Sequence, residues 1–255
     1  MNPVRNLDPR YAMAEFLWYL DKTGSLEMIM HYAPQYRNFA NDNEVHGAYG
    51  KRFVNLIPAL LNMLGNKTNR RAVIPLYQPQ DVAAEKNDIP CTLSWHFLFN
   101  DLNELCLIST MRSNDVWLGL PYDIFVNCSI QRFIADLLGV ETGWYQHQVG
   151  DIHLYEKNVE QAADALLVKP VFPYTSMPLV YAQRSTLAGL ASVRLDEASL
   201  RRGESVVTNL QDGSFMQDVL ACLTGENFIN EGLEDAYYRR RGSNGKDNTG
   251  KEAGI

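Results

Sequence analysis

Residues 112–121 read RSNDVWLGLP, and this stretch joins the two most clearly patterned segments of the chain. The segment before it, Glu104–Met111, is short and rich in β-branched and apolar residues, which predicts a strand. In the segment after it, from about Tyr122 to Gly139, apolar residues recur at helical spacing and predict an amphipathic helix that ends at the glycine. The apolar positions are Val126, Ile130, Phe133, Ile134 and Leu137. The fold therefore combines sheet and helix.

Working outward from this stretch, the remaining patterns predict one α+β domain over residues 1–238 and a disordered tail over 239–255. The tail is polar and glycine-rich and has no apolar period. Upstream of it, apolar periods bounded by proline, glycine or asparagine predict helices. Short β-branched or aromatic runs between the same residues predict strands, and the turn at Asn100 and Asp101 predicts a hairpin.

Helices and strands are both predicted along the domain, with several helices before the first strands. Helices are expected from Asp8 or Pro9 to about Lys22, at Leu26–Tyr32, at Arg52–Leu64, at about Asn158–Leu167 and near Phe215–Leu223. Strands are expected at Arg71–Tyr77, Thr92–Phe99, Glu104–Met111 and about His147–Tyr155, with one or two more in the remainder. Residues 33–51 are expected to form a long loop, and long loops are often functional.

Composition and charge limit the classes of protein that the chain can represent. Of its 255 residues, 46% are hydrophobic and 21% are charged, which indicates a folded domain rather than a disordered chain. No apolar run is long enough to cross a bilayer, and no secretion signal opens the chain, so we expect a cytoplasmic protein. The net charge of −7 argues against a stable nucleic-acid partner or a membrane-surface binder. The four cysteines are expected to be free thiols.

Reactive side chains concentrate in four short segments, which are Asn69–Arg71, Pro90–Thr92, Met111–Asp115 and Gly150–Tyr155. Each segment has an ordinary structural interpretation. Cys91 can be a small buried residue, adjacent arginines are usually solvated, His153 can be a strand histidine, and Asp123 can be the N-cap of the helix that follows. Taken together, a thiol, several arginines and polar groups that can hold a sugar instead indicate a nucleotide pocket.

From about Asn6 to about Asn158, the chain resembles the thymidylate synthase family, including its hydroxymethylase branch. The resemblance is specific because many short motifs occur in the family's order. They are Glu15–Trp18, Ala48–Gly50, Arg70–Arg71, Pro90–Cys91, the run from Arg112 through Asp115 to Gly119–Pro121, and Gly150–Asp151 with His153 and Tyr155. The resemblance implies an α+β fold, with a mixed β-sheet flanked by helices, and a homodimer whose subunits pack sheet to sheet.

The resemblance also implies an activity and the residues that carry it. The family transfers a one-carbon unit from 5,10-methylenetetrahydrofolate to C5 of a pyrimidine nucleoside monophosphate, without a metal ion. The implied catalytic residues are Cys91, Glu15, Tyr49 and Asp123, and the thiolate of Cys91 adds to C6 of the base. The implied substrate-binding residues are Arg70, Arg71, Arg112, Ser113, Asn114, Asp123, His153 and Tyr155, of which Arg70 and Arg71 act across the dimer interface. Asp115 and Trp18 are the implied cofactor-binding residues, and Arg112 is expected to lower the pKa of Cys91.

Three positions depart from the pattern of thymidylate synthases and resemble the cytidylate hydroxymethylases, which phages use to make modified DNA precursors. Asp123 stands where the synthases carry asparagine, Thr92 where they usually carry histidine, and Met111 where they usually carry glutamine. A carboxylate can accept from the N4 amino group of cytosine, whereas an anion facing O4 of uracil costs about 1–3 kcal/mol or more. The expected activity is therefore hydroxymethylation of dCMP, in the host cytoplasm if the protein is phage-encoded.

Other activities stay open. Two share the same chemistry, namely reductive methylation of dUMP by a thymidylate synthase and methylation of a cytidylate at C5. A third is a non-catalytic member of the family that binds nucleotide or RNA. The hydrophilic C-terminal tail replaces the apolar segment that closes over the cofactor in the synthases, which favours attack by water and a hydroxymethyl product.

One expected part of the phosphate site is missing from the sequence. The family places a further phosphate-binding arginine on a loop upstream of the helix that carries Glu15. We therefore expect the sequence to begin late, with Arg5 and Arg10 as the substitutes at hand. No residue can be assigned to the 2′ position of the sugar, so the choice between ribose and deoxyribose stays open.

Overall fold

The centre of the fold is a four-stranded sheet, seen in a computed structural model that describes residues 5, 7–168, 181, 183–206 and 213–225. The strands are β1 (Val73–Pro75), β2 (Thr92–Phe99), β3 (Leu105–Asp115) and β4 (Thr142–His153). The neighbours β1–β2 and β2–β3 are antiparallel, whereas β3–β4 is parallel. A parallel pair needs a crossover connection, and the helix between β3 and β4 supplies it.

Eight α-helices are described around this sheet. They are α1 (Pro9–Tyr19), α2 (Leu26–Tyr32), α3 (Tyr49–Phe53), α4 (Ile57–Leu64), α5 (Gly119–Leu138), α6 (Val159–Leu167), α7 (Leu187–Arg201) and α8 (Phe215–Thr224). The crossover helix α5 packs on β3 and β4, and α1 packs against α5. A mixed sheet flanked by helices confirms the α+β class that the sequence predicts.

The hydrophobic core lies between one face of the sheet and the helices α1 and α5. Aromatic and aliphatic side chains from all three layers are fully buried there. They include Phe16, Leu17, Trp95, Phe97, Leu105, Leu107, Ile130, Phe133 and Ile134. On the opposite face of the sheet, large apolar side chains remain exposed, namely Val73 of β1 and Trp144 and Ile152 of β4. One face of the sheet is therefore a surface in a single chain.

Several predicted boundaries are confirmed by the hydrogen bonds that form them. The Asp8 carboxylate accepts from two backbone N–H groups in the first turn of α1 and is its N-cap. Gly139 ends α5 with a φ of 72°, in the left-handed region that favours glycine. In the hairpin between β2 and β3, the Asn100 side chain accepts from two backbone N–H groups at 3.0 Å. These three signals are local, which is why the sequence shows them.

Other predicted boundaries are wrong for identifiable reasons. Helix α1 stops at Tyr19 rather than near Lys22, because the Asp21 side chain accepts from backbone N–H groups of the next turn. Strand β1 is shorter than Arg71–Tyr77, since the chain after Pro75 leaves the ladder with two N–H groups on one carbonyl, that of Leu93. The helix predicted at Arg52–Leu64 begins at Tyr49 and contains a 3₁₀ turn between α3 and α4.

The elements around the candidate site are longer than predicted. Strand β3 continues to Asp115 and α5 begins at Gly119, so the polar stretch 112–121 belongs mostly to the two elements that it joins. Strand β4 begins at Thr142 rather than near His147. Helix α7 occupies a stretch where strands are expected, and residues 183–206 and 213–225 contain none. The tail predicted at 239–255 lies outside the described residues.

Two sequence-based expectations about the whole chain can be compared with the structure. All four cysteines are free, as expected, because none is paired with another. Among the described residues, no helix combines the length and the apolar character that a bilayer crossing requires.

Candidate active site

Cys91 lies in the turn that enters β2, and neighbouring elements hold its backbone. The Tyr49 hydroxyl, at the start of α3, accepts hydrogen bonds from the N–H groups of Cys91 at 3.1 Å and Thr92 at 2.9 Å. The Cys91 carbonyl accepts from the N–H group of Arg112 at 2.8 Å, which ties the turn to β3. The residue is half-buried. The backbone therefore holds a partly accessible nucleophile in one place.

Gly50 explains how α3 brings Tyr49 to this turn. A Cβ atom at Gly50 would lie 2.0 Å from the carbonyl oxygen of Asp21 and 2.9 Å from that of Trp18, far inside contact distance. Only glycine therefore lets α3 pack directly on the end of α1. The motif Ala48–Gly50 is thus a packing requirement that positions the Tyr49 hydroxyl.

Burial dominates the ionisation of the Cys91 thiol. Desolvation raises the pKa of the thiol above its usual range, and the carboxyl groups of Asp123 and Asp88 raise it further. The Arg112 guanidinium opposes them, as the sequence predicts, but it does not outweigh burial. The expected effect of Arg112 on the pKa of Cys91 is therefore confirmed in direction, although burial keeps that pKa raised. The thiol is protonated at neutral pH and must lose its proton when it attacks.

Four of the residues assigned to nucleotide binding gather at the ends of β3 and β4. The Arg112 guanidinium donates through Nε to the Pro90 carbonyl and through Nη2 to the Ile89 carbonyl, each at 2.9 Å. These bonds fix its plane beside the Cys91 turn. The Ser113 hydroxyl lies 3.4 Å from Nδ1 of His153, on the neighbouring strand. The His153 ring in turn meets the Tyr155 ring edge to face, with centroids 5.0 Å apart. Arg112 is thus held beside the Cys91 turn, and Ser113, His153 and Tyr155 form a polar cluster at the neighbouring ends of β3 and β4.

Glu15 is a buried carboxyl group on α1 that two tyrosines hold. Its Oε1 accepts from the hydroxyl of Tyr11 at 2.5 Å and from that of Tyr36 at 2.9 Å. The two hydroxyls lie 3.2 Å from each other. Burial raises the pKa of Glu15, and both phenols lower it. One oxygen is therefore fixed by the protein, and Oε2 is left for substrate or water.

Asp123 is in the second turn of α5 and is not its N-cap, so the capping interpretation is wrong. The helix begins four residues earlier, at Gly119, and Asp115 organises that start. The two Asp115 oxygens accept from the N–H groups of Trp117 at 2.9 Å and Leu118 at 3.1 Å. Because Asp123 does not cap the helix, its carboxyl group is available to a ligand. The prediction that Asp123 contacts the base requires this.

Burial also changes the charge of Asp123. Desolvation raises the pKa of this carboxyl to about 8, with the nearby carboxyls of Glu15 and Asp115 adding to the shift and the Asn114 amide opposing it. At neutral pH the group is a carboxylic acid. The anionic form, in which the carboxylate can only accept, is therefore disfavoured, because the site lacks the solvation that an anion needs.

Asn114, buried on β3, connects Asp123 to β4. Its Nδ2 lies 2.9 Å from Oδ2 of Asp123, 3.0 Å from Sδ of Met111 and 3.3 Å from Nε2 of His147. The other ring nitrogen of His147 lies 2.6 Å from the Tyr145 hydroxyl. A continuous set of hydrogen-bonding groups thus runs from Asp123 into the interior.

Arg70 and Arg71 lie away from this cluster. Both are exposed and precede β1, where the Ala72 carbonyl accepts from the N–H group of Phe97 and Val73 pairs with His96. Because β1 and β2 are antiparallel, the two arginines lie at the opposite end of β2 from Cys91. At about 3.3 Å per residue, the separation along the strand is about 20 Å. Within one chain they do not reach the site.

For the remaining residues that the resemblance implies, the assigned role remains a prediction. Trp18 is buried and its indole N–H donates to the Ser25 carbonyl at 3.0 Å, which makes it a core residue in this structure. The Arg5 side chain donates hydrogen bonds to the carbonyls of Val116 and Trp117, so it lies against the loop between β3 and α5. Arg10, the other substitute for the missing arginine, is exposed.

The sequence analysis missed three residues of this site, which are Tyr11, Tyr36 and His147. Tyr11 precedes Glu15 by four helical positions, so its contact with the carboxyl was readable from the spacing. Tyr36 comes from the long loop and His147 from a strand whose start was misplaced. For neither residue does the neighbouring sequence indicate which side chain it contacts.

Comparisons with known proteins identify the family. The sequence model described as thymidylate synthase matches residues 4–201, most of the chain. The chain therefore belongs to the thymidylate synthase family, and the match extends beyond the resemblance at residues 6–158. Over 168 residues the chain is 28% identical to a deoxyuridylate hydroxymethyltransferase of Pseudomonas phage M6, covering 62% of this chain and 48% of that protein.

Two solved structures share the fold. Thermostable thymidylate synthase A from Bacillus subtilis aligns with a TM-score of 0.55 and 24% identity over 63% of this chain and 62% of that one. Thymidylate synthase from T4 phage aligns with a TM-score of 0.55 and 21% identity over 63% and 64% of the two chains. The chain thus spans about half the length of the phage relative and under two thirds of each of these structures.

Proposed function

We propose that the protein transfers a one-carbon unit from 5,10-methylenetetrahydrofolate to C5 of a pyrimidine nucleoside monophosphate and that it hydroxymethylates dCMP. The observation that carries this proposal is the position of Cys91. Its half-buried thiol is fixed beside Arg112 and Ser113, in the same protein as a buried Glu15 and a protonated Asp123. A thiol, phosphate donors and two acid groups are the parts that nucleophilic catalysis at a pyrimidine requires.

Each residue has a defined task in this reaction. Arg112 and Ser113 hold the phosphate, and His153 and Tyr155 hold the sugar. Cys91 adds to C6 of the base and makes C5 nucleophilic. C5 would then bond to the one-carbon unit and lose its proton to solvent, tetrahydrofolate would leave from that unit, and the thiolate would leave C6 when water adds to the methylene group. Glu15 takes the proton of the water molecule that attacks the methylene group on C5, through the oxygen that the tyrosines leave free. Tyr49 keeps the thiol in position throughout.

The residues near Asp115 fit the cofactor. When bound, 5,10-methylenetetrahydrofolate supplies the one-carbon unit. Each Asp115 oxygen accepts one backbone N–H and keeps a second lone pair, so the carboxylate can accept from the N–H groups of a pterin. Leu118, half-exposed beside it, offers apolar surface to the ring. Trp18 is buried, so it contributes through packing that supports α1 and not through an exposed surface for the cofactor.

The base is read by Asp123 in its neutral form. A carboxylic acid has one O–H donor and one carbonyl acceptor, which can pair with N3 and the N4 amino group of cytosine. Hydroxymethylation of dUMP is the second candidate. Two observations favour it: the same neutral acid can pair with uracil when its proton is on the other oxygen, and the phage relative is named a deoxyuridylate hydroxymethyltransferase.

The proposal is tested by tritium release from dCMP and from dUMP that carry the label at C5, with and without 5,10-methylenetetrahydrofolate. We expect cofactor-dependent release from dCMP that exceeds release from dUMP. Faster release from dUMP would support the second candidate. Binding of dCMP with no release from either nucleotide would instead indicate a non-catalytic member of the family.

We also propose that the active unit is a homodimer in which Arg70 and Arg71 bind the phosphate in the partner's site. The exposed apolar side chains Val73, Trp144 and Ile152 on one face of the sheet support this arrangement. The distance of the arginines from Cys91 in the same chain supports it as well.

Mixing two inactive variants checks the shared site. Arg70→Ala/Arg71→Ala lacks the donated arginines and Cys91→Ala lacks the nucleophile, so each homodimer has two defective sites. After the subunits exchange, half of the dimers are mixed, and each mixed dimer has one intact site. We expect the turnover rate to recover to about a quarter of that of the unmodified protein. No recovery, with mixed dimers shown to form by mass, would contradict the sharing of arginines.

The two tyrosines on Glu15 lead to a prediction about pH. Removing both hydroxyls, in Tyr11→Phe/Tyr36→Phe, takes away two donors that lower the pKa of Glu15, so this pKa should rise further. Glu15 must be ionised to act as a base, and its activity is lost as the pH falls through its pKa. We therefore expect kcat to fall about 10- to 100-fold at neutral pH and the acid limb of the pH–rate profile to move to higher pH.

Tyr32→Phe is the matched control for this variant. Tyr32 also donates to a buried glutamate, Glu197 at 3.1 Å, but on α2 and α7 away from the site. Its removal should leave the pH–rate profile in place. An unshifted acid limb in the double variant would mean that the two hydroxyls do not influence the catalytic proton.

A further inference from the structure

A neutral carboxyl group can read cytosine or uracil, and the position of its proton decides between them. Cytosine presents an acceptor at N3 and a donor at position 4, whereas uracil presents a donor at N3 and an acceptor at position 4. An acid that is free to carry its proton on either oxygen pairs with both bases. A site that uses Asp123 to select one base must therefore fix which oxygen is protonated.

The contact between Asn114 and Asp123 fixes this choice. Nδ2 of Asn114 donates to Oδ2 of Asp123 at 2.9 Å. A carbonyl oxygen accepts from an N–H group more strongly than an acid hydroxyl oxygen does, so this contact favours the form in which Oδ2 is the carbonyl. The proton then lies on Oδ1, where it can be donated to a base.

The amide of Asn114 is itself held in one orientation. The side chain is buried, with 3% of its surface exposed. Its Nδ2 faces two further acceptors, Sδ of Met111 and Nε2 of His147, so turning the amide would set its oxygen against both.

In one of its two neutral forms, His147 accepts from Asn114 and donates to its other neighbour, Tyr145. Burial lowers the pKa of His147, so the ring is neutral and carries one N–H. Nδ1 lies 2.6 Å from the Tyr145 hydroxyl and can donate its proton there. Nε2 is then unprotonated and accepts from Asn114. The chain of contacts from Asp123 thus ends at Tyr145.

We propose that Asn114 keeps the acid proton of Asp123 on Oδ1 and thereby makes the pocket select one pyrimidine. The inference rests on the proposed function, because dCMP binds when Oδ2 faces its N4 amino group and the Oδ1 hydroxyl faces N3. Asn114 acts on the base through Asp123, so it is a positioning residue. His147 and Tyr145 support its orientation.

The charge on the surrounding groups agrees with this arrangement. The proton is present at neutral pH, since burial raises the pKa of Asp123 to about 8 and the carboxyls of Glu15 and Asp115 raise it as well. These two carboxyls come from α1 and β3, and the thiol of Cys91 and the hydroxyls of Tyr19 and Tyr49 also interact with the group. Neither tyrosine is ionised, because burial raises both of their pKa values.

Equilibrium binding of dCMP and dUMP tests the inference without requiring turnover. The measurement compares the unmodified chain with Asn114→Leu, which keeps the volume but removes the donor, and with Tyr145→Phe, which leaves His147 free to change its protonated nitrogen. Asn158→Ala is the control for loss of a buried amide elsewhere. We expect the unmodified chain to bind dCMP about tenfold or more tightly than dUMP, and Asn114→Leu to bring the two affinities within about twofold. Tyr145→Phe should reduce the ratio of dCMP affinity to dUMP affinity, and Asn158→Ala should leave this ratio unchanged.

The outcomes separate this inference from the proposed function. An affinity ratio that stays the same in Asn114→Leu, or that is already near one in the unmodified chain, overturns the role of Asn114. If Asn114→Leu does not fold, an unchanged ratio in Tyr145→Phe overturns it and a narrowed ratio supports it. A preference for dUMP that disappears in Asn114→Leu supports the role of Asn114 but contradicts dCMP as the substrate.

Discussion

Replacing Cys91 with alanine should reduce turnover by about 10⁴-fold or more while nucleotide affinity changes by no more than a few-fold. The reason is that the thiol forms the bond that makes C5 reactive, whereas the affinity comes from Arg112, Ser113 and the base contact of Asp123. Tritium release from C5 measures the first quantity, and equilibrium binding of dCMP measures the second.

Cys128→Ala is the matched control for this loss. Cys128 is another half-buried thiol, and burial raises its pKa to about 11, but it lies on α5 outside the proposed machinery. The Cys128→Ala variant should retain the full turnover of the unmodified protein. If Cys91→Ala kept the turnover of the unmodified protein, covalent catalysis through this thiol would be excluded.

Replacing Asp123 with alanine should reduce kcat/KM about 100- to 1,000-fold for both dCMP and dUMP. The variant removes the donor and the acceptor that orient the base, and it leaves the Asn114 amide with one acceptor fewer in a buried position. Phosphate binding by Arg112 does not depend on this group. Inhibition by inorganic phosphate should therefore remain unchanged, which separates a lost base contact from a collapsed site.

The isosteric Asp123→Asn variant is the control for shape. It keeps one donor and one acceptor without a proton that can move, so we expect it to retain turnover of at least one of the two nucleotides. Equal and complete losses in Asp123→Asn and Asp123→Ala would mean that the carboxyl acts in proton transfer rather than in base recognition.

Much of the fold was predictable from local signals. Helix α5 was predicted because its apolar positions repeat at helical spacing and are all needed to cover the sheet. The N-cap Asp8, the turn at Asn100 and the terminating Gly139 act within a few residues of their own positions. Helix α7 was missed because only a few of its residues face the core, among them Leu190 and Val193, while other leucines, Leu187 and Leu195, are exposed and blur the apolar period.

The candidate site divides in the same way. Cys91, Arg112, Ser113 and His153 lie in ordered motifs, and the sheet register brings them to one end. The contact of Glu15 with Tyr36 depends on how the 3₁₀ helix Pro34–Phe39 packs on α1, and the contact of Asp123 with Asn114 depends on how α5 packs on β3. The raised pKa of Asp123 could not be predicted for the same reason, since a sequence does not show how deeply a carboxyl is desolvated.

The central claim is that the protein hydroxymethylates dCMP, and the identity of the product tests it most directly. The measurement is the mass of the nucleotide formed from dCMP and 5,10-methylenetetrahydrofolate in water enriched in oxygen-18, together with the folate that remains. We predict 5-hydroxymethyl-dCMP that carries the heavy oxygen, with release of tetrahydrofolate. A 5-methyl nucleotide with release of dihydrofolate, or conversion of dUMP while dCMP is left unchanged, would contradict the account.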